Sequence, residues 1–247
     1  MDRMIYTAMS GARASMGQQA AMANNLANAS TTGFRAQLAA FVTVPVEGDG
    51  YGTRAFSVET TPGSDFSPGS IQPTGRDLDV AIQGRGWIAV RSPDGGEAYT
   101  RAGNLQMTAN GVLQTGSGHA VLGDGGPITV PPGVRITIAG DGTVSAVADS
   151  NRPGQINTVG RIKLVMPEDA RMVRGDDGLF RTRDGVPADA DAKAKLVAGS
   201  LEGSNVNVVE AMVGLITISR NYDLHMKLLQ HADANDKQAS QVLSLNR

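Results

Sequence analysis

Proline and glycine are confined to the middle of this 247-residue chain. All 11 prolines lie between Pro45 and Pro187, and 27 of the 31 glycines lie between Gly48 and Gly203. Because proline and glycine end helices and form turns, only the two ends of the chain are free to form long helices. The sequence therefore predicts two helical ends around a turn-rich middle.

The N-terminal segment predicts a helix from about Arg3 to Ala29, roughly 40 Å long. Its seam positions recur at alternating spacings of four and three, which is a heptad pattern. They are Ile5, Met9, Ala12, Met16, Gln19, Ala23 and Leu26. Gly33 follows soon after, and it can take the left-handed conformation that closes a helix.

The C-terminal segment predicts a second helix from about Asn205 to Leu245, roughly 57 Å long. Ser204 or Asn205 is its expected N-cap. The same heptad spacing continues through most of its length, at Val208, Ala211, Leu215, Ile218, Tyr222, His225, Leu229, Ala232, Asp236, Ala239 and Leu243. Two long, thin amphipathic helices most simply pair as a coiled coil, which is the structure we expect.

The middle of the chain has the pattern of β-strands. "LDVAIQGRGWIAV" (78–90), "VRITI" (134–138) and "RIKLVM" (161–166) alternate apolar and polar residues. Turn dipeptides separate such segments, at Asp94-Gly95, Asn110-Gly111, Asp141-Gly142 and Asp184-Gly185. The predicted fold class is a mainly β middle domain, antiparallel and irregular, sandwich-like or barrel-like, with long terminal helices.

These patterns predict three parts. Residues 1–35 with 203–247 form a helical coiled-coil axial domain, residues 36–75 an extended connector, and residues 76–202 a β domain.

Composition excludes several kinds of chemistry. The chain has no cysteine, which excludes disulfides and thiolate sites, and its net charge of −2 gives no reason to expect a nucleic-acid partner. His119, His225 and His231 have no zinc spacing, and the acidic "GDDG" (175–178) is typical of a turn. We expect no catalytic residue, no cofactor, no metal and no small-molecule substrate.

The chain starts without the apolar core of a cleavable signal peptide, and its longest apolar stretch (211–218) is too short to span a membrane. If this protein leaves the cytoplasm, it follows a route that reads no ordinary signal.

Three asparagines, Asn24, Asn25 and Asn28, lie near the end of the first predicted helix, where they disfavour helix. One interpretation is a polar patch that specifies register, because a wrong neighbour would leave a buried amide unpaired. The alternative is fraying and capping before Gly33.

"ANNLANASTTGF" (23–34) resembles the N-terminal signature of bacterial flagellar rod and hook proteins. Asn25, Leu26, Ala27, Asn28 and Gly33 fall on its defining positions. The start, "MDRMIYTAMSGA", is most similar to the proximal-rod member. "LDVAIQGRGWIAV" resembles the family's middle domain, apart from Trp87 in place of the more frequent phenylalanine. "LEGSNVNVVEAMVGLITISRNYDLHMKLL" resembles its C-terminal helix.

The resemblance implies a structural subunit of the proximal rod, which crosses the periplasm in the flagellar basal body and transmits torque. Its partners would be its own copies and other rod subunits, in a helical assembly, together with the type III flagellar export apparatus. Alternatives are a distal-rod or hook member of the family, a secreted β-domain adhesin with a coiled-coil stalk, or a carbohydrate-active enzyme.

The expected assembly interface combines seam residues with signature residues from both ends of the chain. These are Ile5, Met9, Met16, Asn24, Asn25, Leu26, Asn28, Gly33, Asn205, Val208, Leu215, Ile218, Tyr222 and Leu229.

Overall fold

A computed structural model describes residues 2–45, 55–60, 63–131, 134–148 and 156–244. Its α-helices are Asp2–Ala27 (α1) and Val208–Ser244 (α2), of 26 and 37 residues. A short 3-10 turn covers Asp169–Arg171.

The strands of the described residues all lie between the two helices. They are Gln37–Leu38 (β1), Phe41–Pro45 (β2), Ala55–Glu59 (β3), Gly63–Ser64 (β4), Ile71–Pro73 (β5), Val80–Gln83 (β6), Trp87–Arg91 (β7), Glu97–Thr100 (β8), Leu105–Met107 (β9), Leu113–Thr115 (β10), Leu122–Gly123 (β11), Gly126–Pro127 (β12), Val134–Ile138 (β13), Thr143–Ala148 (β14), Ile156–Arg161 (β15), Leu164–Val165 (β16), Met172–Arg174 (β17), Phe180–Thr182 (β18), Lys195–Ala198 (β19) and Ser200–Glu202 (β20).

The chain divides into two compact units. The terminal unit contains residues 1–27, 37–63 and 207–247, and the central unit contains residues 28–36 and 64–206. The terminal unit therefore holds both helices and the β2–β3 pair, while the central unit holds most of the strands.

Within the terminal unit, α1 and α2 approach each other closely at glycines. A Cβ atom at Gly11 would lie 2.5 Å from His225 Cε1, and one at Gly214 would lie 3.0 Å from Met22 Cε. Strands β2 and β3 form a two-stranded antiparallel sheet in which Val42 pairs with Val58.

The predicted coiled coil is wrong. Knobs-into-holes packing needs large apolar side chains at the seam, but the buried residues of α1 are the small Ala8, Ala12 and Ser15 and the polar Asn25. Met9 and Met16, two of the predicted seam residues, are 53% and 57% exposed. Ala12 is buried as the seam predicts, but the other buried positions lie one residue before the predicted seam residues Met9, Met16 and Leu26.

The predicted sandwich or barrel is also wrong, because the central unit consists of several small antiparallel sheets. One sheet has five strands in the order β16-β7-β8-β18-β17, and another has three in the order β13-β14-β15. The remaining sheets within this unit are the pairs β5–β20, β6–β19, β9–β10 and β11–β12. The predicted antiparallel pairing of a mainly β middle holds, but no single sheet or barrel organises it in the described residues.

Strand β7 explains why the core of the central unit has two parts. Successive side chains of a strand point to opposite faces. Ile88 and Val90 belong to the larger apolar cluster, while Trp87 and Ala89 belong to a smaller one. In the smaller cluster the ring centroids of Trp87 and Phe180 are 4.5 Å apart. The five-stranded sheet therefore buries apolar side chains on both faces.

Local turn chemistry was predicted well. The glycines of all four predicted turn dipeptides have positive φ angles between 69° and 86°. Strands β6, β7 and β13 lie where their alternation predicts them, whereas "RIKLVM" is divided between β15 and β16.

Candidate assembly interface

Asn25 joins the end of α1 to the chain that follows it. Its side-chain Nδ2 donates to the Gln37 carbonyl oxygen at 2.9 Å, and its Oδ1 accepts from the Gln37 N–H at 2.7 Å. Asn24 Nδ2 donates to Gln37 Oε1 at 2.9 Å, at the surface. The buried amide of Asn25 is thus satisfied inside the chain, and it occupies both backbone hydrogen-bonding groups of one residue.

Asn28 lies in the turn after α1. Its carbonyl oxygen accepts from the Thr31 N–H, and its Oδ1 accepts from Thr31 Oγ1, both at 3.1 Å. The helix ends at Ala27, so Gly33 does not close it directly, contrary to the prediction. Gly33 has the predicted left-handed conformation (φ 68°).

Gly33 is required by its neighbours in the central unit. Its N–H donates to the Glu202 carbonyl oxygen at 2.8 Å, and a Cβ atom there would lie 2.3 Å from the Arg101 carbonyl carbon. Since no side chain fits this space, the segment after α1 passes directly against the backbone of Arg101.

Asn205 is not the N-cap of α2. That role belongs to Asn207, whose Oδ1 accepts from the N–H groups of Val209 and Glu210 at 3.1 and 3.3 Å. Asn205 Oδ1 instead accepts from the Ala36 N–H at 2.7 Å, and its Nδ2 donates to the Asp65 carbonyl oxygen at 2.9 Å. The amide therefore connects two segments of the central unit.

Sequence reasoning missed a buried ionic cluster in the central unit. Glu202 Oε1 accepts from Arg35 Nη2 at 2.7 Å and from the Gly69 N–H at 3.0 Å, and Glu202 Oε2 accepts from Arg101 Nη1 at 2.9 Å. The side chains of Arg35, Arg101 and Glu202 are 1–4% exposed. Burial lowers the pKa of Arg101, and the adjacent Glu202 carboxylate opposes that shift.

This cluster buries two positive charges with one negative charge. Within the described residues, Arg35 Nη1 and Arg101 Nε have no hydrogen-bond partner. Arg101 also lies over the Trp87 ring, 5.4 Å from its centroid, which offsets part of the cost of burying a cation. No spacing rule joins residues 35, 101 and 202, so only the folded chain reveals them as a group.

The start of α2 is apolar on two opposite faces. Ala211 and Ile218 are buried in the terminal unit, and Leu215, Tyr222 and Leu229 on the same side are half-buried. The opposite side carries four exposed apolar residues at helical spacing, which we call the apolar face of α2: Val209, Met212, Val213 and Ile216. Val208, at the first position of the helix, is also 40% exposed.

A cluster of exposed large apolar side chains ordinarily marks an interaction surface. The exposure of Val209 (71%) and Val213 (59%) therefore marks a surface that this chain does not cover with its own described residues.

The predicted interface residues of α1 divide between surface and interior. Met9 and Met16 are exposed, while Ile5 and Leu26 are half-buried. Beside Met9 lies a groove of about 570 Å³, which we call the α1 groove. It is lined by Tyr6, Met9, Ser10 and Arg13 of α1 and by Phe41 and Val58 of the β2–β3 pair.

The predicted interface residues therefore do not form one site. Asn25 contacts the residue after the turn, Gly33 and Asn205 pair with segments of the central unit, and the seam residues of α2 pack inside the terminal unit. The described part of the chain holds no group of three metal-ligating side chains, and none of its helices is long and apolar enough to cross a membrane.

Three family models match successive parts of the chain. Residues 5–35 match the flagella basal body rod protein model, residues 81–146 match the D1 domain of flagellar hook protein FlgE/F/G, and residues 197–242 match the C-terminal model of flagellar basal body rod FlgEFG proteins.

Full-length relatives agree with these matches. The chain is 48% identical over 252 residues to the flagellar basal-body rod protein FlgF of Salmonella typhimurium and 47% identical over 253 residues to that of Escherichia coli, with all of both chains covered. This chain belongs to the flagellar basal-body rod protein family. A Caulobacter vibrioides FlgF is 34% identical over 238 residues, or 94% of each chain.

Membership of the rod protein family confirms the resemblance predicted from the three motifs, and with it the predicted function as a structural subunit of the flagellar basal-body rod. Assembly with other rod components and location in the basal body follow from the same membership.

The buried ionic cluster contains one residue from each of the three segments that match a family model. Arg35 lies in the first, Arg101 in the second and Glu202 in the third. In this rod protein, three segments far apart in sequence thus meet at a single carboxylate.

Proposed function

We propose that this rod protein occupies the proximal part of the rod, where its helices pack against its own copies and other rod subunits in a helical assembly. The observation that carries the proposal is the apolar face of α2, which lies opposite the buried face of the same helix. A subunit that must fill a shaft needs such a second face, because torque passes only through packed contacts.

The proposed arrangement assigns residues 1–35 and 203–247 to the axis of the rod, residues 36–75 to a connector and residues 76–202 to an outer β domain. The presence of both chain ends in the terminal unit supports this arrangement. The predicted interface residues would act in two ways, with Met9, Met16 and Val208 at the surface and the asparagines ordering the turn that follows α1.

The subunit would reach the rod through the type III flagellar export apparatus, unfolded and without a cleavable signal peptide. The lack of cysteine supports this route, because no disulfide has to be broken before the chain is threaded. Its work in the rod would be mechanical, with no cofactor and no substrate.

The test replaces one residue of the apolar face with a charged one. Val213→Glu should be exported but incorporated into basal bodies about tenfold less than the unchanged chain, because burying an unpaired carboxylate is costly. Swimming in soft agar should fall with it. Asn221→Glu is the matched control, since Asn221 is exposed on α2 and does not continue the stripe of the apolar face. Equal incorporation of both variants would contradict the proposal.

A further inference from the structure

The α1 groove and the apolar face of α2 match each other in length and character. The groove runs along α1 from Tyr6 to Ala14, about 12 Å of helix, and the apolar face runs from Val209 to Ile216, about 10.5 Å. The groove has the exposed apolar side chains Tyr6, Met9 and Val58 among its lining, and all four residues of the apolar face are exposed in the single chain.

The two surfaces also carry opposite charges. Arg13 is exposed at the groove, and Glu210 is exposed beside the apolar face. Neither side chain forms an ion pair within the described part of the chain. Charges of opposite sign at the rim of an apolar contact steer association and fix its register.

We propose that the α1 groove of one copy receives the apolar face of α2 of a second copy of this chain. The proposal rests on the proposed assembly function and names the occupant of its surface. Two different surfaces meet in this contact, so each copy leaves one groove and one face free. Such a head-to-tail contact propagates as an open helix or closes as a ring.

The Arg13–Glu210 pair and the extent of the groove together set the direction of the two helices, because Arg13 lies near one end of a groove that runs back to Tyr6. With Glu210 placed beside Arg13, Val213 lies at Ser10 and Ile216 at Tyr6 when α2 of the second copy runs antiparallel to α1. The steps are three and three residues on α2 and three and four residues on α1, and both spacings keep neighbouring side chains on one face of a helix.

Disulfide trapping between two differently substituted chains tests this contact. One gene copy carries Ser10→Cys and the other carries Val213→Cys, both produced in the same cells. The natural chain has no cysteine, so each covalent dimer of this chain reports one contact between the two introduced thiols. Oxidised basal bodies should contain a dimer of the two chains, identified by different epitope tags. Replacing Val213→Cys by Asn221→Cys should remove it.

A charge exchange sharpens the test. Arg13→Glu in the first chain should lower the dimer yield about tenfold, because it places two carboxylates together. Adding Glu210→Arg to the second chain should restore the yield. Restoration across two separate chains requires direct contact between them.

The outcomes separate this inference from the proposed function. Both tagged chains present in basal bodies but never joined would overturn the inference and place the apolar face of α2 against a different rod protein. Chains exported but absent from basal bodies, while the cells still swim, would overturn the proposed function itself.

Discussion

The two units of this rod protein bury apolar side chains to very different extents. The central unit encloses large residues completely, such as Ile88, Leu105 and Leu113, each 0% exposed. In the terminal unit the buried apolar residues are mostly alanines, and large ones such as Met9 and Val209 are exposed. Among the exposed large apolar residues of the described chain, only Ile71, Met107, Met166 and Val186 belong to the central unit.

The difference shows which unit is complete by itself. Burial of apolar area contributes about 25 cal/mol per Å², so the central unit gains its stability within one chain. The terminal unit leaves large apolar side chains exposed, and in the proposed assembly it would gain from burying them. Changes to buried groups of the central unit should therefore cost more stability than changes in the terminal unit.

Glu202→Gln should have the largest effect. It would leave Arg35 and Arg101 as buried cations without a counter-ion, which costs about 3–5 kcal/mol. Denaturant unfolding of the purified chain measures the loss. Asp184→Asn, which removes the exposed ion pair with Arg171, should cost less than about 1 kcal/mol. Similar losses for both variants would show that the buried cluster does not hold the central unit together.

Alkaline pH should cause the second-largest loss of stability in the central unit. Burial of Tyr99 raises its pKa to about 12, although the N–H of Ala188 donates to its oxygen and opposes the shift. Between pH 10 and about 12 the folded protein therefore binds more protons than the unfolded chain. The contribution of Tyr99 to the free energy of unfolding is complete below pH 10, and it falls by about 2 kcal/mol as the pH rises from 10 to about 12.

Tyr99→Phe supplies the comparison for that titration. The variant has no phenol to ionise, so its free energy of unfolding should change less between pH 10 and 12. Parallel pH profiles for the two proteins, measured by urea unfolding, would contradict the assignment to Tyr99.

Gly11→Ala should destabilise the terminal unit and leave the central unit unchanged. The new methyl group would lie 2.5 Å from His225 Cε1, so the imidazole ring must leave its place against α1, at a cost of about 1–3 kcal/mol. Hydrogen exchange of the α1 amides should become faster. Adding His225→Ala makes room and should slow exchange again. If it does not, the contact at Gly11 is not what holds the helices together.

Asn25→Ala should have the smallest effect, about 1 kcal/mol, by leaving the Gln37 N–H and carbonyl oxygen unpaired near the surface. Exchange of the Gln37 amide should accelerate, whereas Asn24→Ala should leave it nearly unchanged because the Asn24 amide donates to the side chain of Gln37 and not to its backbone. The register interpretation of the asparagines remains a prediction. Normal rod assembly by an Asn25→Ala, Asn28→Ala double variant would speak against it.

The heptad pattern predicts the buried face of one helix better than that of the other. In α2 the heptad seam that contains Ala211 and Ile218 is the face that the structure buries. In α1 the residues are mostly small, so several faces are almost equally apolar. The partner decides between them, since the His225 ring lies against Gly11, where a Cβ atom would leave it no room.

The sequence by itself determined where helices and turns occur and to which family the chain belongs. These properties follow from local backbone preferences and from motifs of neighbouring residues. Tertiary structure alone decided which face of α1 is buried, how the strands divide into small sheets, and that Arg35, Arg101 and Glu202 share one site. Contacts between distant residues depend on how whole elements pack, and no short-range pattern encodes that geometry.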